Sequence, residues 1–239
     1  MASNYFNFED KEYDFPLYKE DNVITRKTGI ILILSLIIFI FLIIGPVKFH
    51  NIQEQFILFF VMFIPFLYVT KGRIATLFRM PKLQDLKVIL YCTFGDFALL
   101  FLVTFVVTLI NYLVPIGTFT GADTTTVGYG LDILSLIANF FQIISEELVR
   151  ITVFLLILHV IYKYTENRKK SVIVAAIISL LLFGLLHINI GRGLIYAIVC
   201  IGLCSYFTLH AYLKTKNATL SVLVHLLYNV ITIMLLTML

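Results

Sequence analysis

The stretch Gly29–Val47, GIILILSLIIFIFLIIGPV, contains one hydroxyl and no charge. Coiled as a helix it reaches about 28 Å, close to the ~30 Å hydrocarbon thickness of a bilayer. It is apolar on every side, so it has no face to offer to water. Six further apolar runs follow: Phe56–Val69, Val88–Val114, Leu131–Tyr162, Ser171–Ile188, Gly193–Leu213 and Thr219–Leu239. They are continuous rather than alternating, which disfavours a membrane β-barrel. The expectation is an all-α polytopic transmembrane helix bundle of about seven spans, filling residues 29–239. The bulk composition agrees, with 60% hydrophobic and 13% charged residues in 239 and a mean hydropathy of +0.99. Such a chain lacks the polar residues to cover a water-soluble domain. The second run is short and carries Pro65, so a broken or re-entrant segment is expected there. The fourth is too long to stand upright and is expected to tilt or protrude.

Basic residues alternate with the spans. The segments 1–28, 70–87, 163–170 and 214–217 hold fifteen Lys and Arg residues, whereas the alternate connections hold only Lys48 and Arg192. By the positive-inside rule the N-terminus is cytoplasmic, in a multi-pass protein of the cell membrane. The net charge of +4 is then a topology signal with some attraction for anionic lipid, and it gives no reason to expect nucleic acid. Residues 1–28 read as a cytoplasmic or interfacial segment, charged and aromatic, without a cleavable signal peptide. Cys92, Cys200 and Cys204 all fall within spans and read as small buried residues with no disulfide framework. His50, His159 and His210 read as interfacial residues. Thr118–Gly130 is the one obvious loop.

Within the spans a small set of polar residues stands out. Ser145-Glu146-Glu147-Leu148-Val149-Arg150 lies near the middle of the fourth run. A charge at bilayer depth persists where it pairs, meets water or does chemistry. At 100° per residue Asn139, Gln142, Glu146 and Arg150 form one stripe, with Glu147 beside it. Glu146 and Arg150, spaced i,i+4, are expected to be able to form an ion pair. The fifth run supplies Phe183 and His187, and the seventh supplies His225 and Asn229, with Ser221 one turn earlier. Depths counted along each helix leave room for these residues to converge. A carboxylate beside an imidazole can deprotonate water and pass the proton to a leaving amine. A second His with an Asn can stabilise an oxyanion. The same Glu and His side chains could instead hold Zn²⁺, although the His-Glu-x-x-His spacing is absent.

Glu146-Glu147 with Arg150, then Phe183-x-x-x-His187, then His225-x-x-x-Asn229, resembles the CAAX-protease and bacteriocin-processing (CPBP, or Abi) family of intramembrane proteases. The resemblance covers residues 131–232. It implies that Glu146 and His187 activate water, that His225 and Asn229 stabilise the oxyanion, and that Glu147 and Arg150 support them. It implies a membrane-associated peptide or protein substrate. It allows either a glutamate-type mechanism without cofactor or Zn held by Glu146, His187 and His225. Bacterial relatives are linked to processing of peptide pheromones or bacteriocin precursors and to self-immunity.

The first motif departs from the family pattern, in which three residues separate the Glu pair from Arg. Here only Leu148 and Val149 do. Anchored on the pair, Glu146 is the catalytic acid and Glu147 its partner. Anchored on Arg150, Glu146 becomes the Arg-pairing acid and Ser145 takes the catalytic position. Two other classes therefore stand beside the protease: a catalytically inactive membrane scaffold or immunity protein, and a proton-coupled transporter or haem carrier, to which Asp96 in the third run would contribute.

Overall fold

The computed structural model describes residues 8, 14–17, 24–45, 51–113, 133–188 and 193–238. The calls on His50, on Arg192 and on the Thr118–Gly130 loop lie outside them. The described residues form an all-helical bundle. Its helices are α1 (Arg26–Ile44), α2 (Asn51–Val69), α3 (Leu86–Leu113), α4 (Ile133–Thr165) and α5 (Arg168–Leu185). A short α6 (Gly193–Tyr196) passes through a π-helical turn, Ala197–Gly202, and a 3₁₀ turn, Leu203–Ser205, into α7 (Tyr206–Thr215). The described chain finishes with α8 (Ala218–Met238).

Among the described residues five segments are long and apolar enough to cross a membrane: Arg26–Ile44, Ile52–Val69, Leu83–Ile110, Leu194–Thr215 and Ala218–Leu235. The exterior of the bundle fits that role. Ile33, Ile37 and Phe41 on α1 and Phe94, Phe101 and Phe105 on α3 are all exposed. An apolar belt of this extent is stable against lipid. The protein is a multi-pass membrane protein.

The seven expected spans map onto these helices, with two corrections. The second is neither broken nor re-entrant, because α2 runs unbroken with Pro65 inside it. Proline lacks an N–H and crowds the preceding turn, and here it falls in the last turns, where little helix remains to be disrupted. The sixth is not one regular helix but the interrupted α6–α7 segment. Extra backbone length there lets the chain pass α5 at close range. A Cβ added to Gly184 would lie 2.6 Å from the Ala197 carbonyl oxygen, and one on Gly202 would lie 2.6 Å from that of Leu180. The two backbones touch through paired glycines, as small residues permit in membrane interfaces.

α4 is the central helix. It packs on α2, α5 and α8, and the eight residues Leu148–Leu155 are all buried. Its 33 residues span about 50 Å, well over the ~30 Å thickness of a hydrocarbon layer. At one end Phe15 and Leu17 of the N-terminal segment are buried. Phe15 meets Phe154 and Tyr212 edge-on or tilted, at 5.2 and 6.0 Å between ring centroids. Asp14 holds Arg168 at the start of α5 with oxygens 2.7 and 3.0 Å from its guanidinium. The N-terminal residues described are thus packed into the end of the bundle. Cys92, Cys200 and Cys204 are free and buried, as expected.

Gly184→Val should separate α5 from the π turn. The expected cost is about 1–3 kcal/mol of overpacking, read as a lower unfolding midpoint of the detergent-solubilised protein.

Candidate active site

The middle of α4 presents two adjacent acids to different surroundings. Glu147 is completely buried, and its carboxylate is saturated. Oε1 accepts from the Arg150 guanidinium and from His225 Nδ1 at 2.8 Å. Oε2 lies 2.5 Å from the Ser221 hydroxyl. Glu146 faces the other way. Its Oε1 accepts from Gln142 Nε2 at 2.9 Å, and its Oε2 stands 3.7 Å from His225 Nε2. Its side chain keeps 14% of its surface exposed against none for Glu147, so Glu146 is the acid that something outside the protein can reach.

The ion pair therefore forms between Glu147 and Arg150, not between Glu146 and Arg150 as the shared stripe suggested. Both i,i+3 and i,i+4 spacings bring side chains together on a helix. Their neighbours decide between them: α8 supplies Ser221 and His225 on the Glu147 side, and Gln142 occupies Glu146. Arg150 is held further by donating from Nη1 to the Ser205 carbonyl at 3.1 Å. Its guanidinium also lies over the Phe183 ring, 4.0 Å from the centroid, a favourable cation–π arrangement. Ser145, the rival for the catalytic position, is buried and donates to the Gln142 carbonyl of its own helix at 2.7 Å. The remaining polar residue of the stripe, Asn139, accepts from Gln55 Nε2 of α2 at 3.1 Å.

His225 is the pivot of the site. With Nδ1 donating to a carboxylate that accepts from every side, its Nε2 is turned towards Glu146. That gap is too wide for a direct hydrogen bond. His187 follows α5 in a turn, and its Nδ1 donates to the Phe183 carbonyl at 2.9 Å. The ring packs on Phe183, 4.7 Å between centroids, and Phe183 in turn stands 6.3 Å from the His225 ring. His187 is thus joined to the site through Phe183 and makes no hydrogen bond or ion pair with either Glu. Asn229, one turn beyond His225 on α8 and half-buried, has no side-chain hydrogen-bond partner among the described residues.

For Zn²⁺ held by Glu146, His187 and His225, the two imidazoles would have to bind through Nε2, since each Nδ1 is committed, to the Phe183 carbonyl and to Glu147. Among the described residues no three His, Cys, Asp or Glu side chains gather closely enough to hold an ion.

A family model described as "Rce1-like: Type II CAAX prenyl endopeptidase Rce1-like" matches residues 130–231. This segment, somewhat under half of the chain, is similar to the CAAX-protease family. It carries Glu146, Glu147, Arg150, His187, His225 and Asn229, and so contains every residue of the site singled out from the sequence. The likeness is to an intramembrane protease kind, a kind that acts on membrane-associated peptide or protein. No curated protein and no solved structure matches the chain.

Two members of the site were given no role from sequence, Ser221 and the Ser205 carbonyl. Ser221 sits one turn before His225, so its spacing was available as a signal. The Ser205 carbonyl that receives Arg150 is backbone, and no residue type announces it. His210 lies among the Phe8, Tyr206 and Phe207 rings.

Arg150→Ala leaves Glu147 buried without its cation. The expected loss is about 3–5 kcal/mol of stability, measured as the unfolding midpoint. The double variant Glu147→Gln/Arg150→Met, which removes both charges, should recover most of that loss.

Proposed function

We propose that the protein is an intramembrane endopeptidase of the glutamate type, with Glu146 as the acid that activates water. The observation that carries this reading is the division between the two acids. Glu147 has every oxygen occupied, whereas Glu146 is partly open and faces the free nitrogen of a histidine held by Glu147. Water seated on the open side of the Glu146–His225 pair gives a proton to the Glu146 carboxylate as its oxygen attacks the scissile carbonyl. The tetrahedral oxyanion takes hydrogen bonds from protonated His225 Nε2 and the Asn229 amide. Glu146 then returns the proton to the leaving nitrogen as the C–N bond breaks, so a C–O bond has replaced it and the protons balance. His187, whose Nδ1–H is fixed on Phe183, keeps Nε2 available to orient the water. The pairing of Arg150 with Glu147 supports the register anchored on the Glu pair, with Glu147 as the supporting acid.

The substrate in this reading is a membrane-associated peptide or protein segment entering from the bilayer or cytoplasmic face. The family resemblance supports a bacterial peptide precursor, such as a pheromone or bacteriocin, or a role in self-immunity. The alternation of basic residues supports a cytoplasmic N-terminus. Purified protein in lipid should cleave a hydrophobic precursor peptide. Glu146→Gln and His187→Ala should each lower kcat by roughly 10²–10⁴-fold at unchanged expression and unfolding midpoint, measured by mass spectrometry of the products. Wild-type rates in both variants would sink the assignment, and a phenotype in cells that survives them would point to the scaffold or immunity role.

A further inference from the structure

Asp96 lies on α3, outside the segment matched to the protease family, yet it is only 2% exposed. A buried carboxylate needs donors, and both of its come from the first turn of α7. Oδ1 accepts from the Phe207 backbone N–H at 2.9 Å and Oδ2 from the Thr208 hydroxyl at 2.5 Å. The π and 3₁₀ turns immediately before α7 begin a new helix whose first N–H groups lack partners within it, and Asp96 takes one of them. Gly95 permits the approach, because a Cβ there would lie 2.5 Å from the Phe207 ring.

The contact continues into the site. The Thr208 carbonyl stands 2.9 Å from the Ser221 hydroxyl, and that hydroxyl stands 2.5 Å from Glu147 Oε2. Thr208 and Ser221 are both buried. A hydroxyl has one proton to donate. Ser221 directs that proton between Glu147 Oε2 and the Thr208 carbonyl, a three-centre bond that the two acceptors share. Asp96, Thr208, Ser221, Glu147 and His225 thus form one hydrogen-bonded row running from α3 through α7 and α8 to α4.

We infer that Asp96 is a positioning residue for the reaction. It pins Thr208 so that Ser221 and Glu147 hold His225 with Nε2 towards Glu146. The inference rests on the protease reading above, but its spectroscopic consequence does not. Networks of this kind act as a unit, so deletions along them fall short of additivity.

The test uses the full chain in lipid with ¹⁵N-labelled histidine. Asp96→Asn places an amide donor against one of two donors, Thr208→Val removes the hydroxyl, and Ser221→Ala removes the next link. Each should move the His225 ring nitrogen signals. Each should lower kcat by roughly 10- to 100-fold with KM within about twofold. Thr208→Ser, which keeps the hydroxyl, should restore both readouts. Asp96→Asn/Ser221→Ala should be no slower than the slower single variant. Unmoved His225 signals, additive losses, or a Thr208→Ser variant as impaired as Thr208→Val would each overturn the inference. Glu146→Gln is the reference: if it cleaves like wild type the protease reading fails, while the ring signals still decide the positioning role. Thr208→Val and Ser221→Ala, each with its unfolding midpoint measured, carry the test should Asp96→Asn misfold.

Discussion

A carboxylate with no exposed surface, in the middle of an apolar bundle, is the constraint on which this structure turns. Taking Glu147 out of water is costly unless each oxygen is met by a donor. Those donors come from Arg150 on the same helix and from Ser221 and His225 on α8. Meeting that requirement sets the rotation of α4 against α8. Arg150 extends the requirement, because its Nη1 reaches the Ser205 carbonyl at the entry to α7 and its face rests on Phe183 of α5. One buried charge thus registers four segments of the bundle.

The same arrangement separates two adjacent and chemically identical side chains into different roles. Glu147 has both oxygens engaged and no exposed surface for a ligand, and it holds an imidazole in place. Glu146, one residue earlier, points about 100° away around the helix. It meets only Gln142 and the far side of that imidazole. The proposed hydrolysis uses an acid that can gain and lose a proton beside one that stays fixed. Adjacent positions on a buried helix supply both because the pitch turns them towards different neighbours.

The irregular stretch before α7 is where the fold gives up regularity for function. π turns recur at functional sites because they shift side chains and release backbone groups. Here the turn passes α5 at glycine contact, offers the Ser205 carbonyl to Arg150 and gives the Phe207 N–H to Asp96. Through Asp96, a helix that contributes no motif residue is tied to the site.

Much of this was legible in the chain itself. The length and apolarity of the runs specified a membrane helix bundle, because the bilayer thickness leaves few alternatives. Residues too polar for that setting, from Glu146 to Asn229, marked the site because burial of charge without a partner is prohibitive. Helical spacing placed Ser221 with His225, and Glu146 near Arg150. It could not say that Arg150 would choose Glu147, since i,i+3 and i,i+4 partners are equally within reach and the choice belongs to α8. Nor could it place the break before α7 or the Ser205 carbonyl, which depend on how closely α5 approaches. Nor could it bring Asp96, more than a hundred residues from Thr208 in sequence, into the same hydrogen-bonded row. Composition determined the solvent, the architecture and the cast of polar residues. Which of them face one another was decided by packing between helices distant in sequence, because a buried donor or acceptor takes its partner from whatever lies against it.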